Sequence, residues 1–306
     1  MRPADAADTW VDRAAPPAAR PYLRLARFDR PIGAWLLLWP CWWSLALAAA
    51  AGYGDAAPWP DTILLLLFAA GAFVMRGAGC TFNDIVDRDF DAAVARTRGR
   101  PIPSGAVSVR NAKLFMIALA LIGLLILLSL SEIAILLGIL SLGLVALYPF
   151  TKRFTYWPQV FLGLAFNWGA LMGWAAASGG LALPAITLYI GGIFWTLHYD
   201  TIYAHQDKED DVLIGVKSTA LRLGTKTKPF LVFFAAAALL LILYAGWMVA
   251  LGPFFYAGLA IAAIHAAWQI ATLDTENSAN CLERFKSNQL FGFIIFMAIV
   301  AGHVTF

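Results

Sequence analysis

The sequence is short of charge. Asp, Glu, Lys and Arg make up 13% of its 306 residues, where an ordinary soluble domain carries about 25%. That shortage excludes a water-facing globular protein, and nucleic acid is not an expected partner. Cysteine is scarce too. Cys41, Cys80 and Cys281 show neither metal-ligand spacing nor a disulfide framework, and they are expected to pack as small apolar residues. Residues 1–21, rich in Ala, Pro and Arg, lack the apolar stretch of a cleaved signal. Arginine without lysine is a feature of organellar transit segments, but Asp5, Asp8 and Asp12 count against that reading. The expectation is a mobile tail over 1–21 and a single domain over 22–306.

What the chain has in abundance is apolar sequence, 61% of its residues. A helix needs about 20 mostly apolar residues to cross a bilayer. The pattern predicts an all-α, polytopic membrane protein with nine spans, at 32–52, 62–83, 111–129, 131–149, 158–178, 182–206, 230–250, 253–272 and 289–305. The third and fourth form a tight hairpin, because together they are too long for one crossing. With the N-terminus inside, 21 of the 22 Lys and Arg residues fall on one face, and the last, Arg76, lies within the second span. Positive charge collects on the cytoplasmic side of membrane proteins, so the N-terminus is expected to be cytoplasmic and the C-terminus outside.

Acidic residues cluster where two spans emerge on that face. NDIVDRDFD runs from Asn83 to Asp91, and DTIYAHQDKEDD from Asp200 to Asp211. On a helix Asn83, Asp87 and Asp91 share one stripe, and so do Asp200, Tyr203, Asp207 and Asp211. Carboxylates this close repel one another unless a cation lies between them. Mg²⁺ takes oxygen ligands, often one or two carboxylates with substrate phosphates. Each acid stretch is followed by a basic loop, the first with Arg96 and Arg100-Pro101 and the second with Lys217-Ser218-Thr219. Acid cluster then basic loop, twice over, reads as a weak internal repeat with one site built between the halves. The chemistry suggested is binding of a diphosphate on a lipid-like chain. Arg96, Arg100, Lys152, Arg153 and Lys217 are candidates for neutralising its oxygens. Arg76, two turns before Asn83, is either a substrate contact or the structural partner of an acid. His198 and His205 have no partner at metal-ligand spacing and are expected to pack. Glu209 and Asp210 turn away from the second stripe toward solvent.

These segments resemble the UbiA family of intramembrane aromatic prenyltransferases, from about Tyr22 to the end of the chain. The stretches that carry the resemblance are RFDRPIGAWLLLWPCWWSL, RGAGCTFNDIVDRDFDAAVARTRGRPIPSGAV, YPFTKRFTYWPQVFLGLAFNW and YDTIYAHQDKEDDVLIGVKSTALRLG. The first acid motif is N-x-x-x-D-x-x-x-D on Asn83, Asp87 and Asp91; the second is D-x-x-Y-A-x-x-D on Asp200, Tyr203, Ala204 and Asp207. YPFTKR and YDTIYAHQDKEDD are most similar to the branch acting on 4-hydroxybenzoate.

The resemblance implies nine helices around a central cavity and a requirement for Mg²⁺. It also implies transfer of a polyprenyl chain from its diphosphate to the ring carbon ortho to the phenol of 4-hydroxybenzoate, in ubiquinone synthesis. On that reading Asp84, Asp87, Asp200 and Asp207 are catalytic. Arg76, Asn83, Arg96, Arg100, Lys152, Arg153, Tyr203 and Lys217 bind substrate. Asn83, Asp87, Asp91, Asp207 and Asp211 hold the metal. Asp200, by its depth, is a candidate acceptor for the phenol proton. A bacterial inner membrane is the expected location, with a mitochondrial inner membrane as the alternative.

Three other readings were weighed. A different aromatic acceptor within the same family is the nearest. A CDP-alcohol phosphotransferase would need a D-G-x-x-A-R string, which the chain lacks. A transporter would place charges mid-span, where only Arg76 lies. The charge count yields a topological prediction. Cysteine introduced near Gly54 should react with an impermeant thiol reagent from outside, and cysteine near Thr225 only from inside. Labelling of both from one side would overturn the nine-span orientation.

Overall fold

The structure, a computed structural model, describes residues 9–53, 59–93 and 97–303, and their side chains except those of Asp207, Glu209, Asp210 and Ile214. Arg96 and Gly54 lie outside the described residues. In chain order the helices are α1 (Trp10–Ala14), α2 (Arg20–Leu25), α3 (Ile32–Ala50), α4 (Thr62–Val86), α5 (Arg88–Ala93), α6 (Val109–Leu128), α7 (Glu132–Phe154), α8 (Pro158–Phe166) and α9 (Trp168–Ser178). They continue as α10 (Leu183–Ala204), α11 (Lys208–Ile214), α12 (Thr219–Leu223), α13 (Thr227–Met248), α14 (Pro253–Ala271), α15 (Ser278–Lys286) and α16 (Asn288–Ala301). No strand occurs among the described residues.

Among the described residues eight helical stretches are long and apolar enough to cross a membrane: 32–50, 62–86, 109–128, 132–154, 158–178, 219–248, 253–271 and 278–301. The ninth expected span, 182–206, corresponds to α10, which has the length but not the hydropathy. The physical reason is burial. Thr187, Thr196, His198 and Thr201 of α10 are all shielded by protein, so its composition answers to neighbouring side chains and not to lipid. The chain breaks where the third and fourth expected spans meet. α6 ends at Leu128, and Ser131 caps α7 by accepting a hydrogen bond from the Ala134 amide.

The chain forms two compact units, Met1–Trp35 with Ala69–Ser129, and Leu36–Phe68 with Leu130–Phe306. In the first, residues 26–35 run along one face of α4. Phe28 stacks on Phe73 at 6.4 Å and Trp35 meets the same ring edge-on at 5.9 Å. In the second, α10 packs along α13 and also touches α8, α9, α12 and α15. The stretch 158–178 is broken at Asn167, whose buried amide donates to the Gly163 carbonyl at 2.9 Å and to Thr196 Oγ1 on α10 at 2.8 Å. Backbone freed at a break inside apolar surroundings needs such a partner. The expected packing role of the cysteines holds: all three are free and buried.

Lipid offers no hydrophobic drive for helices to associate, so they rely on close packing of small residues. Gly169 and Gly173, four apart on α9, let that helix approach Cys41 on α3. A β-carbon at Gly173 would lie 2.6 Å from the Cys41 carbonyl oxygen, and that backbone has no way to swing aside. Ser44 donates to the Ala170 carbonyl across the same crossing. Gly173→Val should therefore destabilise the protein by about 1–3 kcal/mol, read as a lower thermal midpoint in detergent. Gly143→Ala, where an added carbon meets nothing within 4 Å and alanine is the better helix former, should not lower the midpoint.

Candidate functional site

The first acid stretch keeps the spacing that the sequence predicts. α4 ends at Val86 and α5 starts at Arg88, yet the Asp87 amide donates to the Asn83 carbonyl and the Asp91 amide to the Asp87 carbonyl, both at 2.8 Å. Helical hydrogen bonding thus passes through the bend, and Asn83, Asp87 and Asp91 stay one turn apart. Asp84, Asp87 and Asp91 are all buried, at 1%, 2% and 7% exposure.

Buried carboxylates need compensating charge, and arginines supply it. Arg27 Nη2 donates to both oxygens of Asp84, at 2.7 and 2.9 Å. Arg100 Nη1 donates to both oxygens of Asp91, at 2.9 and 2.8 Å, and lies 3.4 Å from Asp84. Burial alone would lower the Arg27 pKa; the Asp84 carboxylate reverses this and raises it. Burial pushes the Asp91 carboxyl above its usual range, Arg100 pulls it back, and Asp84 and Asp87 push it up again. Asp84, expected as a catalytic group, has both oxygens engaged by Arg27. Arg100 is brought to the acids as expected. Its loop is anchored by Ile102 and Val107, which pack with Leu25 and Ala112.

Arg27 holds this position at a backbone cost. Its φ is 60°, the left-handed region that costs a non-glycine residue about 1–2 kcal/mol. It closes α2 in a turn where the Phe28 amide donates to the Leu23 carbonyl at 2.9 Å. Glycine is the usual residue there. An arginine at that point makes sense through what its side chain reaches. Sequence reasoning missed it, counting Arg27 only among the cytoplasmic charges. Gly33 was missed likewise; it lies against the guanidinium of Arg76, which is half-buried on α4.

In the second unit Asp200 and Tyr203 end α10, residues 205–207 form a 3₁₀ turn, and Asp211 lies on α11. This corrects the expectation of a single helical stripe through Asp211. A 3₁₀ turn advances three residues per turn instead of 3.6, so α11 does not continue the α-helical period of α10. Tyr203 packs its ring 4.5 Å from that of Phe285. His198 contacts the Leu231 carbonyl at 3.2 Å and Gln269 Oε1 at 3.0 Å, and His205 contacts Thr227 Oγ1 at 2.9 Å. Both histidines pack, as expected. The basic candidates of this unit meet at the end of α7. The Lys217 amide donates to the Lys152 carbonyl at 2.9 Å, and Lys217 Nζ to the Phe154 carbonyl at 3.3 Å. Arg153 projects beside them over Phe150, 5.2 Å from the ring centre. Thr219, two residues after Lys217, ties the loop to Gln159 and Thr201.

The donor set suits a hard divalent cation. Asp87 lies close enough to Asp91 to raise the proton affinity of the Asp91 carboxyl, and Mg²⁺ is commonly held by one or two carboxylates plus substrate phosphates. Among the described residues no three His, Cys, Asp or Glu side chains converge, and a site completed by phosphate oxygens does not require them to.

The profile of the UbiA prenyltransferase family matches residues 37–300. The chain belongs to the UbiA prenyltransferase family. This UbiA family member is 52% identical over 286 residues to the mitochondrial 4-hydroxybenzoate polyprenyltransferase of Drosophila melanogaster, covering 93% of this chain and 72% of that protein. It is 50% identical to the Arabidopsis thaliana protein of the same name, over 96% of this chain and 71% of that one. The Homo sapiens protein is 48% identical, over 95% and 77%. Among solved structures, a UbiA homologue from Aeropyrum pernix K1 superposes with a TM-score of 0.70 at 26% identity, over 87% of this chain and 96% of that one. A UbiA homologue from Archaeoglobus fulgidus, bound to GPP and Mg²⁺, shares the fold with a TM-score of 0.68 at 19% identity, over 92% and 98%.

The ion pairs give a direct test. Removing one partner of a buried pair costs about 3–5 kcal/mol, because the other charge stays buried. Arg27→Ala should lower thermal stability by that order. Arg27→Gly should fall short of it by about 1 kcal/mol, since the left-handed turn then costs less. Equal stability of wild type and Arg27→Ala would show that Asp84 does not depend on Arg27.

Proposed function

We propose that this chain transfers a polyprenyl group from its diphosphate to the ring carbon ortho to the hydroxyl of 4-hydroxybenzoate, releasing diphosphate, in ubiquinone biosynthesis. Relatives about 50% identical over more than nine-tenths of the chain carry that activity in their names. They favour this acceptor over the alternative of another aromatic acceptor. The observation that carries the reading is the arrangement on α4 and α5: one arginine, Arg76, two turns deeper than a stripe of buried acids that Arg100 partly neutralises.

In this reading the candidates that would hold Mg²⁺ are Asn83, Asp87 and Asp91 in the first unit and Asp207 and Asp211 in the second; the metal when bound would stabilise the negative charge of the departing diphosphate. Arg100, Lys152, Arg153 and Lys217, with Arg96, neutralise the remaining oxygens. Tyr203 and Asn83 are assigned to substrate binding. The carbon–oxygen bond to diphosphate breaks, the allylic carbon bonds to the ring, and the displaced ring proton returns to the phenolate oxygen, while the proton that Asp200 takes from the phenol is the one released with diphosphate. Asp200 accepts the phenol proton, which makes the ring a better nucleophile. Apolar surroundings protect the allylic cation from water. Arg76 lies too deep for the diphosphate and holds the carboxylate of 4-hydroxybenzoate. The loops carrying this chemistry face the cytoplasm or its mitochondrial equivalent, with nine crossings. The relatives' names support the mitochondrial alternative for the inner membrane over the bacterial one.

The test is prenyl transfer to radiolabelled 4-hydroxybenzoate in membranes containing the protein, with a polyprenyl diphosphate and Mg²⁺. Chelator should abolish product. Asp87→Asn and Asp207→Asn should each remove nearly all activity while the protein stays in the membrane, because a neutral amide is a poorer cation ligand. Near wild-type turnover of either variant at saturating Mg²⁺ would refute its metal role.

A further inference from the structure

Gly33 is the second residue of α3, and its bare α-carbon faces Arg76. A β-carbon built there would lie 2.6 Å from Arg76 Nε, 2.8 Å from Nη2 and 3.0 Å from Cζ. Non-bonded heavy atoms settle at about 3.5–4.0 Å. Three guanidinium atoms therefore occupy the space where any other amino acid would place its first side-chain atom. The start of α3 has little room to retreat. Phe28 and Trp35 clamp Phe73 on either side of this point, and an added carbon at Gly77 of α4 would already be 3.0 Å from Ala26. The group that would move is the flexible end of Arg76. Helix propensity does not explain the glycine, since alanine is the better helix former.

We propose that Gly33 is a specificity-determining residue: its missing side chain leaves a backbone shelf on which the Arg76 guanidinium lies, aimed at the carboxylate of the aromatic acceptor. This rests on the reading that Arg76 holds that carboxylate. A residue larger than glycine at 33 displaces the guanidinium and removes the preference for a carboxylated phenol, without touching diphosphate binding.

The experiment compares wild type, Gly33→Ala, Arg76→Ala and the double variant, purified in detergent. It measures KM for 4-hydroxybenzoate and for the polyprenyl diphosphate, thermal midpoint, and the ratio of kcat/KM for 4-hydroxybenzoate to that for uncharged 4-hydroxybenzamide. Both acceptors are read in one preparation, so partial misfolding cancels from the ratio. Loss of a charged hydrogen bond corresponds to about ten- to a hundredfold in affinity. Gly33→Ala should raise the 4-hydroxybenzoate KM by about tenfold or more and lower the ratio to match. The diphosphate KM should stay within about twofold and the midpoint should hold. Adding Gly33→Ala to Arg76→Ala should change nothing further. A wild-type ratio in Gly33→Ala with a lowered one in Arg76→Ala overturns the role of Gly33 and leaves that of Arg76. A wild-type ratio in both overturns the reading of Arg76 and this inference with it. Additive effects in the double variant, or a lowered midpoint with an unchanged ratio, would make Gly33 a packing residue only.

Discussion

A carboxylate almost wholly removed from water has to be answered by a cation, and Asp84 is answered by Arg27. An isolated buried ion would cost several kcal/mol, so the pair is kept together or the region does not form. Arg27 is held in a left-handed turn to make this contact, and the turn places residues 26–35 along α4. The ring contacts at Phe73 and the shelf at Gly33 lie on the same stretch. Arg100 then completes the chain of charges from Asp84 to Asp91. One buried acid thus organises the helix entry, the basic loop and the environment of the acid stripe.

The second unit obeys the same rule with neutral groups. The buried polar side chains in the C-terminal half of α10 meet partners on neighbouring elements. Thr196 receives the Asn167 amide, His198 meets Leu231 and Gln269, and Thr201 meets Thr219. These bonds join α10 to the break between α8 and α9 and to the loop that carries Lys217. In an apolar interior each unmade bond of this kind costs about 1–3 kcal/mol. The positions of Asp200 and Tyr203 at the end of α10 are thereby set by groups that take no part in the chemistry.

The acid stripe leaves an electrostatic demand that a single arginine meets only in part. Burial and neighbouring carboxylates push Asp91 toward its protonated form, and Arg100 opposes this with a single charge. A cation of higher charge, held between carboxylate and phosphate oxygens, would meet the same demand more fully and leave Arg100 available to diphosphate.

Composition and period alone determined the class of protein, the places of its long helices, the two acid stretches and the spacing of the first. These are local properties. An apolar run of about 20 residues declares a span, and residues four apart on a helix share a face whatever surrounds them. Tertiary structure alone decided which charges meet. Arg27 and Asp84 are 57 residues apart, and nothing in the spacing of either distinguishes a cytoplasmic anchor from the partner of a buried acid. The nearness of Gly33 to Arg76 and the tie between Lys217 and Lys152 are equally invisible along the chain. The second acid stripe reads as one face in sequence because the reading assumes an unbroken α-helix, while the tighter turn at residues 205–207 interrupts the α-helical period. Local period follows from backbone geometry that every sequence shares; the pairing of buried charges follows from which distant segments shut out water together.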